Sequence, residues 1–157
     1  VDWLEDRYPG FRGLNLSHET REGILKHGCS WEHPVPVPAL ASCPSLEAQL
    51  ADHADEIAYL HHDLDDGLRS GLIRLEQLAA VALWSEARAT AEKRVGGASG
   101  RVLRSQVLVV LINRLVTDLL EASAARLVGE ALGSAAAVRA RKDPVVGFSR
   151  EMQPRKE

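Results

Sequence analysis

Three features of the chain predict an all-α fold, a helical bundle. Apolar residues recur at helical spacing through residues 46–68 and again through 101–132. Serines stand where helices would start, and glycines where they would stop. No stretch of useful length alternates apolar and polar residues with period two, so no sheet is expected, and there is no internal repeat.

The elements follow in order. Residues 2–8 read as the last turns of a helix, stopped by Pro9-Gly10. Ser17 as N-cap, Glu19 in the first turn and Gly28 beyond the end give a short helix over 17–27. Residues 29–44 hold a run of prolines that includes His33-Pro34-Val35-Pro36-Val37-Pro38, which predicts an extended, polyproline-like loop. Ser45 caps a helix over 46–68, with Glu47 in its first turn and Leu46, Leu50, Ala54, Ile57, Ala58, Tyr59 and Leu64 at apolar positions. Gly67 and Gly71 weaken its end. A further helix is expected over 75–94, rich in Ala, Leu and Glu, with Trp84 in the core. Gly96-Gly97-Ala98-Ser99-Gly100 reads as a hinge. Residues 101–132 form the longest helix, whose stripe of Val107, Leu108, Leu111, Leu115, Val116, Leu119 and Leu120 is expected to pack on the 46–68 helix. Asp143-Pro144 begins a tail.

A chain of 157 residues can bury a real core but not two comfortable domains. A net charge of -3 argues against a nucleic-acid-binding module, yet not against an anionic small ligand, because a metal or local arginines can supply positive charge. Cys29 and Cys43 both lie in the proline-rich loop. A disulfide between them is open, but two cysteines without a signal peptide favour free thiols and a cytoplasmic setting. No Cys/His spacing suggests zinc. The longest aliphatic run, Val107 to Ile112, is far too short to span a membrane. The chain starts at Val1 and its only methionine is Met152, so a fragment or processed piece is expected.

Chemistry concentrates in residues 52–66, DHADEIAYLHHDLDD. One reading is a solvated acidic helix face. The other is a site: Asp55, Tyr59 and Asp63 stand at i, i+4 and i+8, sharing one face over ~12 Å of helix axis. That face runs beside Ile57 and Ala58, and carboxylates near a packed face need partners or a metal. Of the histidines, His61 is expected at the helix surface and His62 at a pocket edge. Arg101 and Arg104 are candidates for binding phosphate, or else solvated or paired arginines. Arg21 and Lys26 are expected as surface charges.

Arg7-Tyr8-Pro9-Gly10-Phe11-Arg12-Gly13-Leu14-Asn15-Leu16-Ser17, followed by Glu19-Thr20-Arg21-Glu22-Gly23-Ile24-Leu25-Lys26-His27, resembles a segment of bacterial dGTPase-like proteins. So does Pro44-Ser45-Leu46-Glu47-Ala48-Gln49-Leu50 running into Ala54-Asp55-Glu56-Ile57-Ala58-Tyr59 and His62-Asp63-Leu64-Asp65-Asp66-Gly67-Leu68. Val146-Gly147-Phe148-Ser149 fits the later portion of these proteins. The resemblance implies part of an HD-type phosphohydrolase fold. Residues 1–72 would be the C-terminal part of its catalytic region, and 73–157 an associated helical region. It implies hydrolysis of a deoxynucleoside triphosphate to a deoxynucleoside and triphosphate. A divalent metal (Mg, Mn or another transition metal) would be held in the intact protein by a His, a His-Asp pair and a distant Asp. The resemblance places that last ligand at Asp55, and makes Tyr59 and Asp63 residues that line the sugar and phosphate part of the nucleotide site. The other ligands and the catalytic histidine would precede Val1, so the isolated chain is expected to be inactive and to bind metal weakly. Leu60 departs from the polar residue the resemblance leads one to expect. A homo-oligomer of the intact protein is also implied. Three alternatives stay open: His62-Asp63 as the metal-binding pair, a non-catalytic helical scaffold, and a different HD-type nucleotide phosphohydrolase.

Overall fold

The computed structural model describes residues 2, 4–27, 43–97 and 99–156. The polyproline-like loop and Cys29 lie outside the described residues. The helices are α1 (His18–Lys26), α2 (Leu46–Ser70), α3 (Leu75–Leu78), α4 (Ala82–Val95), α5 (Gly100–Gly129) and α6 (Ala135–Arg139), followed by a 3-10 turn over Gln153–Arg155. Among the described residues there is no strand, only an isolated antiparallel bridge between Tyr8 and Phe11. The all-α prediction holds. No helix among the described residues is long and apolar enough to cross a membrane.

The chain forms two compact units, one from Val1–Asp52 with Ala131–Val145, the other from His53–Glu130 with Val146–Glu157. These packing units cut across the 1–72 and 73–157 regions, which are regions of sequence named by resemblance.

In the first unit, Ser17 caps α1 by accepting a hydrogen bond from the Thr20 N–H at 3.2 Å, and the Ser45 hydroxyl accepts from Ala48 N–H at the start of α2, also at 3.2 Å. Both predicted caps are present. Residues 2–8 are not helical where described. The Gly13 N–H donates to the Glu5 carbonyl at 2.8 Å, closing a loop, and Pro9 steers Tyr8 away from helical geometry. Gly23 lets α1 lie against α2: a Cβ there would stand 3.2 Å from the Ala48 Cβ. The buried Gln49 donates to the Pro44 carbonyl at 2.7 Å and accepts from the Val145 N–H at 2.8 Å. It ties the chain returning after α6 to the first turns of α2. The free thiol of Cys43 is buried, and burial raises its pKa above the ordinary value.

In the second unit the principal packing is α4 on α5. Leu83, Trp84, Ala87 and Ala91 line the buried side of α4, and Val107, Val110, Leu111, Leu115, Leu119 and Ser123 that of α5. Ala87 and Ala91, wholly buried, allow close approach of the two helices. Trp84 is in the core, as predicted. The long helix is expected to pack on the 46–68 helix; its principal partner is instead α4. The second-unit part of α2 meets α5 through the Asp65–Arg104 ion pair and across a pocket, while α4 takes most of the α5 stripe.

Two other boundaries differ. The single helix expected over 75–94 breaks into α3 and α4, because Val81 is extended and the Ser85 hydroxyl donates to the Ala79 carbonyl at 3.0 Å. No glycine or proline announces that break. The tail is part of the core: Val145, in the first unit, and Val146 and Phe148, in the second, are buried. Within the second unit, α5 fixes the tail through its backbone. Arg126 donates to the Gly147 and Phe148 carbonyls, Ser123 Oγ accepts from the Gly147 N–H at 3.1 Å, and Asp118 accepts from the Ser149 N–H at 2.8 Å.

Candidate functional site on the second helix

Asp55, Tyr59 and Asp63 all fall within uninterrupted α2, so the i, i+4, i+8 register predicted for them is the register they have. All three are exposed, Tyr59 at 68%. Asp66 continues the same line at i+11. The result is an acidic, solvent-facing ridge with one phenol in it. Both carboxylates can accept hydrogen bonds, and the phenol can donate one or lie flat against a ring.

Asp65 sits elsewhere. Its carboxylate meets Arg69 at 3.1 Å and Arg104 at 3.2 Å, and it is only partly exposed. Arg104 is therefore engaged in a structural pair, and Arg101 is exposed at the start of α5. Glu56 faces a different set of partners. It pairs with Lys156 and with His53 Nδ1 at 3.1 Å, while His53 lies edge-on to Phe148 with ring centroids 5.4 Å apart. The acidic stretch thus holds an exposed ridge and, apart from it, Glu56 and Asp65 in ion pairs.

His61, expected at the helix surface, is buried, whereas His62 is exposed and lines a pocket with Leu108 and Ile112, as expected of a residue at a pocket edge. The His61 Nδ1 stands 2.6 Å from the Ile57 carbonyl, which can only accept, so Nδ1 carries the proton and Nε2 presents a lone pair. Nε2 is buried without a hydrogen-bond partner among the described residues. Burial pushes the imidazole pKa below its ordinary value, partly opposed by the bond to Ile57. The sequence signal was present: Ile57, His61, Leu64 and Leu68 form a helical stripe in which His61 holds an apolar position.

Lys26 is also misplaced by the sequence reading. Its side chain is 5% exposed and its ammonium lies 2.7 Å from the buried Glu22 carboxylate, which Arg139 reaches at 2.9 Å. Arg21 is exposed, as expected, 3.8 Å from Asp2.

A hard divalent cation suits the oxygen donor that Asp55 offers. One exposed carboxylate is not a site, however. Among the described residues no group of three or more His, Cys, Asp or Glu side chains could hold a metal ion, and His62-Asp63 gathers no third donor.

No family model matches the chain. It is 49% identical over 159 residues to the deoxyguanosinetriphosphate triphosphohydrolase-like protein of Ralstonia nicotianae, a match covering 98% of this chain and 41% of that one. The protein of the same name from Bordetella pertussis is 48% identical over 155 residues, 95% of this chain and 40% of the relative. That from Geobacter sulfurreducens is 41% identical over 160 residues, 99% and 41% respectively. The chain spans about two fifths of the length of the curated relatives it matches. It is homologous, over nearly all of its own residues, to proteins of this name.

Proposed function

We propose that this chain is a section of a deoxynucleoside triphosphate triphosphohydrolase, and that the exposed ridge of α2 is its contribution to the nucleotide site. The observation that carries the reading is homology across nearly the whole chain to proteins named for that activity. The ridge supports it: Asp55, Tyr59 and Asp63 stand exposed on one helix face, while the neighbouring Glu56 and Asp65 are held in ion pairs.

In this proposal the substrate is a deoxynucleoside triphosphate, and the products are a deoxynucleoside and inorganic triphosphate. Tyr59 lies one helical turn from Asp55, where a phenol packs on a deoxyribose and still offers a hydroxyl. Asp63, a further turn on, accepts a hydrogen bond from a sugar hydroxyl. Asp55 serves as one ligand of a divalent cation whose other ligands come from a longer protein. Bound there, such a cation would offset phosphate charge and acidify a water molecule. The described residues do not form that centre alone, so the roles of Tyr59 and Asp63 are argued independently of it.

The test uses the full-length protein that carries this segment, assayed for triphosphate release from each deoxynucleoside triphosphate with metal added back. Asp55→Ala is expected to abolish release and lower bound metal. Tyr59→Ala and Asp63→Asn should keep the metal and raise KM or lower kcat. Asp65→Ala should show the opposite pattern: stability reduced by about 1 kcal/mol, through loss of two arginine partners, with kcat/KM retained in the folded fraction. If Asp55→Ala and Asp65→Ala are equally active, the ridge is a solvated acidic face.

A further inference from the structure

Helix α5 is apolar on two sides. One side, with Val107, Val110, Leu111, Leu115 and Leu119, is buried, and α4 is the principal neighbour of this helix. A second stripe is exposed: Val102 at 56%, Val109 at 41%, Ile112 at 38%, Val116 at 37% and Leu120 at 54%. These five stand at i, i+7, i+10, i+14 and i+18, which puts them on one helix face over about 27 Å of axis. The other exposed positions between Val102 and Leu120 are Ser105, Asn113 and Thr117, so this length of solvent face carries no charge. Helix α4 shows the ordinary pattern: its exposed face holds Glu86, Arg88, Glu92, Lys93 and Arg94. A helix apolar on both sides belongs in an interior, and a continuous, uncharged, aliphatic strip has the composition of an interface core.

Beside the stripe lies a groove of about 440 Å³ between α2 and α5, lined by Ala54, Ala58 and His62 from α2 and by Leu108 and Ile112 from α5. Alanines at i and i+4 keep the α2 wall low, which leaves room for aliphatic side chains to enter. Ile112 belongs both to the groove and to the stripe, so the two make one surface. Val102, Val109 and Val116 repeat every seven residues with Ile112 between them, the spacing with which one helix receives another.

We propose that this surface is the seat of an amphipathic helix supplied by the part of a longer protein that lies outside this segment. The relatives show that such length exists in proteins of this kind: the matches take in nearly all of this chain but only 41% and 40% of the Ralstonia and Bordetella proteins, leaving about three fifths of each outside. A segment joined through the chain meets the stripe at an effective concentration of roughly millimolar order, far above that of separate copies. An uncharged seat calls for an aliphatic docking side, since a charge brought there would lose its water without gaining a partner. Asp55 borders Ala54 and Ala58 on α2, so the docked helix adjoins the acidic ridge. The proposal rests on reading the chain as a section of a longer protein, and not on the triphosphohydrolase activity or the roles of Asp55, Tyr59 and Asp63.

The full-length protein that carries this segment is tested in two ways. Val109→Cys and, as reference, Ala89→Cys on the charged face of α4 are pulsed with N-ethylmaleimide, and labelling of the peptide bearing the new thiol is read by mass spectrometry. Val109→Cys is expected to react about ten-fold more slowly than Ala89→Cys in the native protein, and equally fast in urea. To identify the occupant, Leu120 is replaced by photoreactive p-benzoylphenylalanine, with Val102 as the alternative position if Leu120 does not tolerate the ring. Illumination is expected to give a product that keeps the mass of one chain and joins the photoreactive residue to a peptide outside this segment. A product of doubled mass makes a second copy the occupant and overturns the proposal. Equal native labelling of the two thiols overturns it as well, as does a photoproduct confined to this segment, or none at either position. Neither readout involves nucleotide, so failure of the docking and failure of the proposed activity are told apart.

Discussion

Glu22 is a carboxylate 5% exposed, facing the Lys26 ammonium and the Arg139 guanidinium. A buried charge survives only where its partners repay desolvation, and here two cations do so for one anion. Glu22→Ala would leave those cations facing each other across the space the carboxylate held. We expect it to lower stability by about 3 kcal/mol in urea denaturation. Glu22→Gln, which keeps the shape and loses the charge, should cost less. Equal stability of Glu22→Ala and wild type would mean that Lys26 and Arg139 reach solvent. Nothing in the sequence marks this cluster. Glu22 and Lys26 are legible as an i,i+4 pair, but such pairs are ordinarily solvated, and Arg139 joins from 117 residues away. The same limit governs the candidate site. The shared face of Asp55, Tyr59 and Asp63 follows from helical period alone. The separation of Asp65 and Glu56 from that ridge depends on Arg104 and Lys156, which only the tertiary fold brings near.

At the level of elements, capping and period were the reliable signals. Ser17 and Ser45 start helices where short polar side chains can accept from the first turn, and both do. The break before α4 carries no mark in the sequence because it is made by a side-chain bond from Ser85 rather than by glycine or proline. The end of α5 is a further case. Its C-cap is Glu130, and Ala131 beyond it has φ of 48°, a left-handed conformation in which a Cβ is strained. Glycine is the residue normally found at this position. Ala131→Gly is therefore expected to raise stability by about 1 kcal/mol, read as a higher urea midpoint at unchanged slope. A lower midpoint would show that the extra freedom glycine gives the unfolded chain outweighs the relief of strain. The sequence reading ran this helix on to residue 132, since an alanine carries no stop signal.

For the molecule as a whole, three buried or half-buried titratable groups set how the fold responds to acid, and they act in two windows. Burial holds the His61 imidazole pKa below its ordinary value of 6.5. Between that value and the depressed one, the unfolded chain binds a proton that the folded chain does not, so stability falls as pH drops through this window. The slope is at most about 1.4 kcal/mol per pH unit for a single group. Glu22 is held below the ordinary 4.5 chiefly by its hydrogen bond from Lys26, with Arg139 adding to it against desolvation. Glu56 is raised by burial but lowered further by its bonds from Lys156 and His53, with a net shift downward. These carboxylates give stability that is fully present above pH 4.5 and is lost as pH falls through their folded values. His61 and Glu56 belong to the second unit and Glu22 to the first, so the upper window acts in the second unit and the lower one in both. Urea titrations followed at the Trp84 indole signal should show a midpoint level above pH 7, falling from about pH 6.5, and falling again below about pH 4.5. His61→Phe should flatten the upper window and leave the lower one. If the upper decline persists in that variant, a histidine other than His61 is responsible, and its burial does not govern the acid sensitivity of the fold.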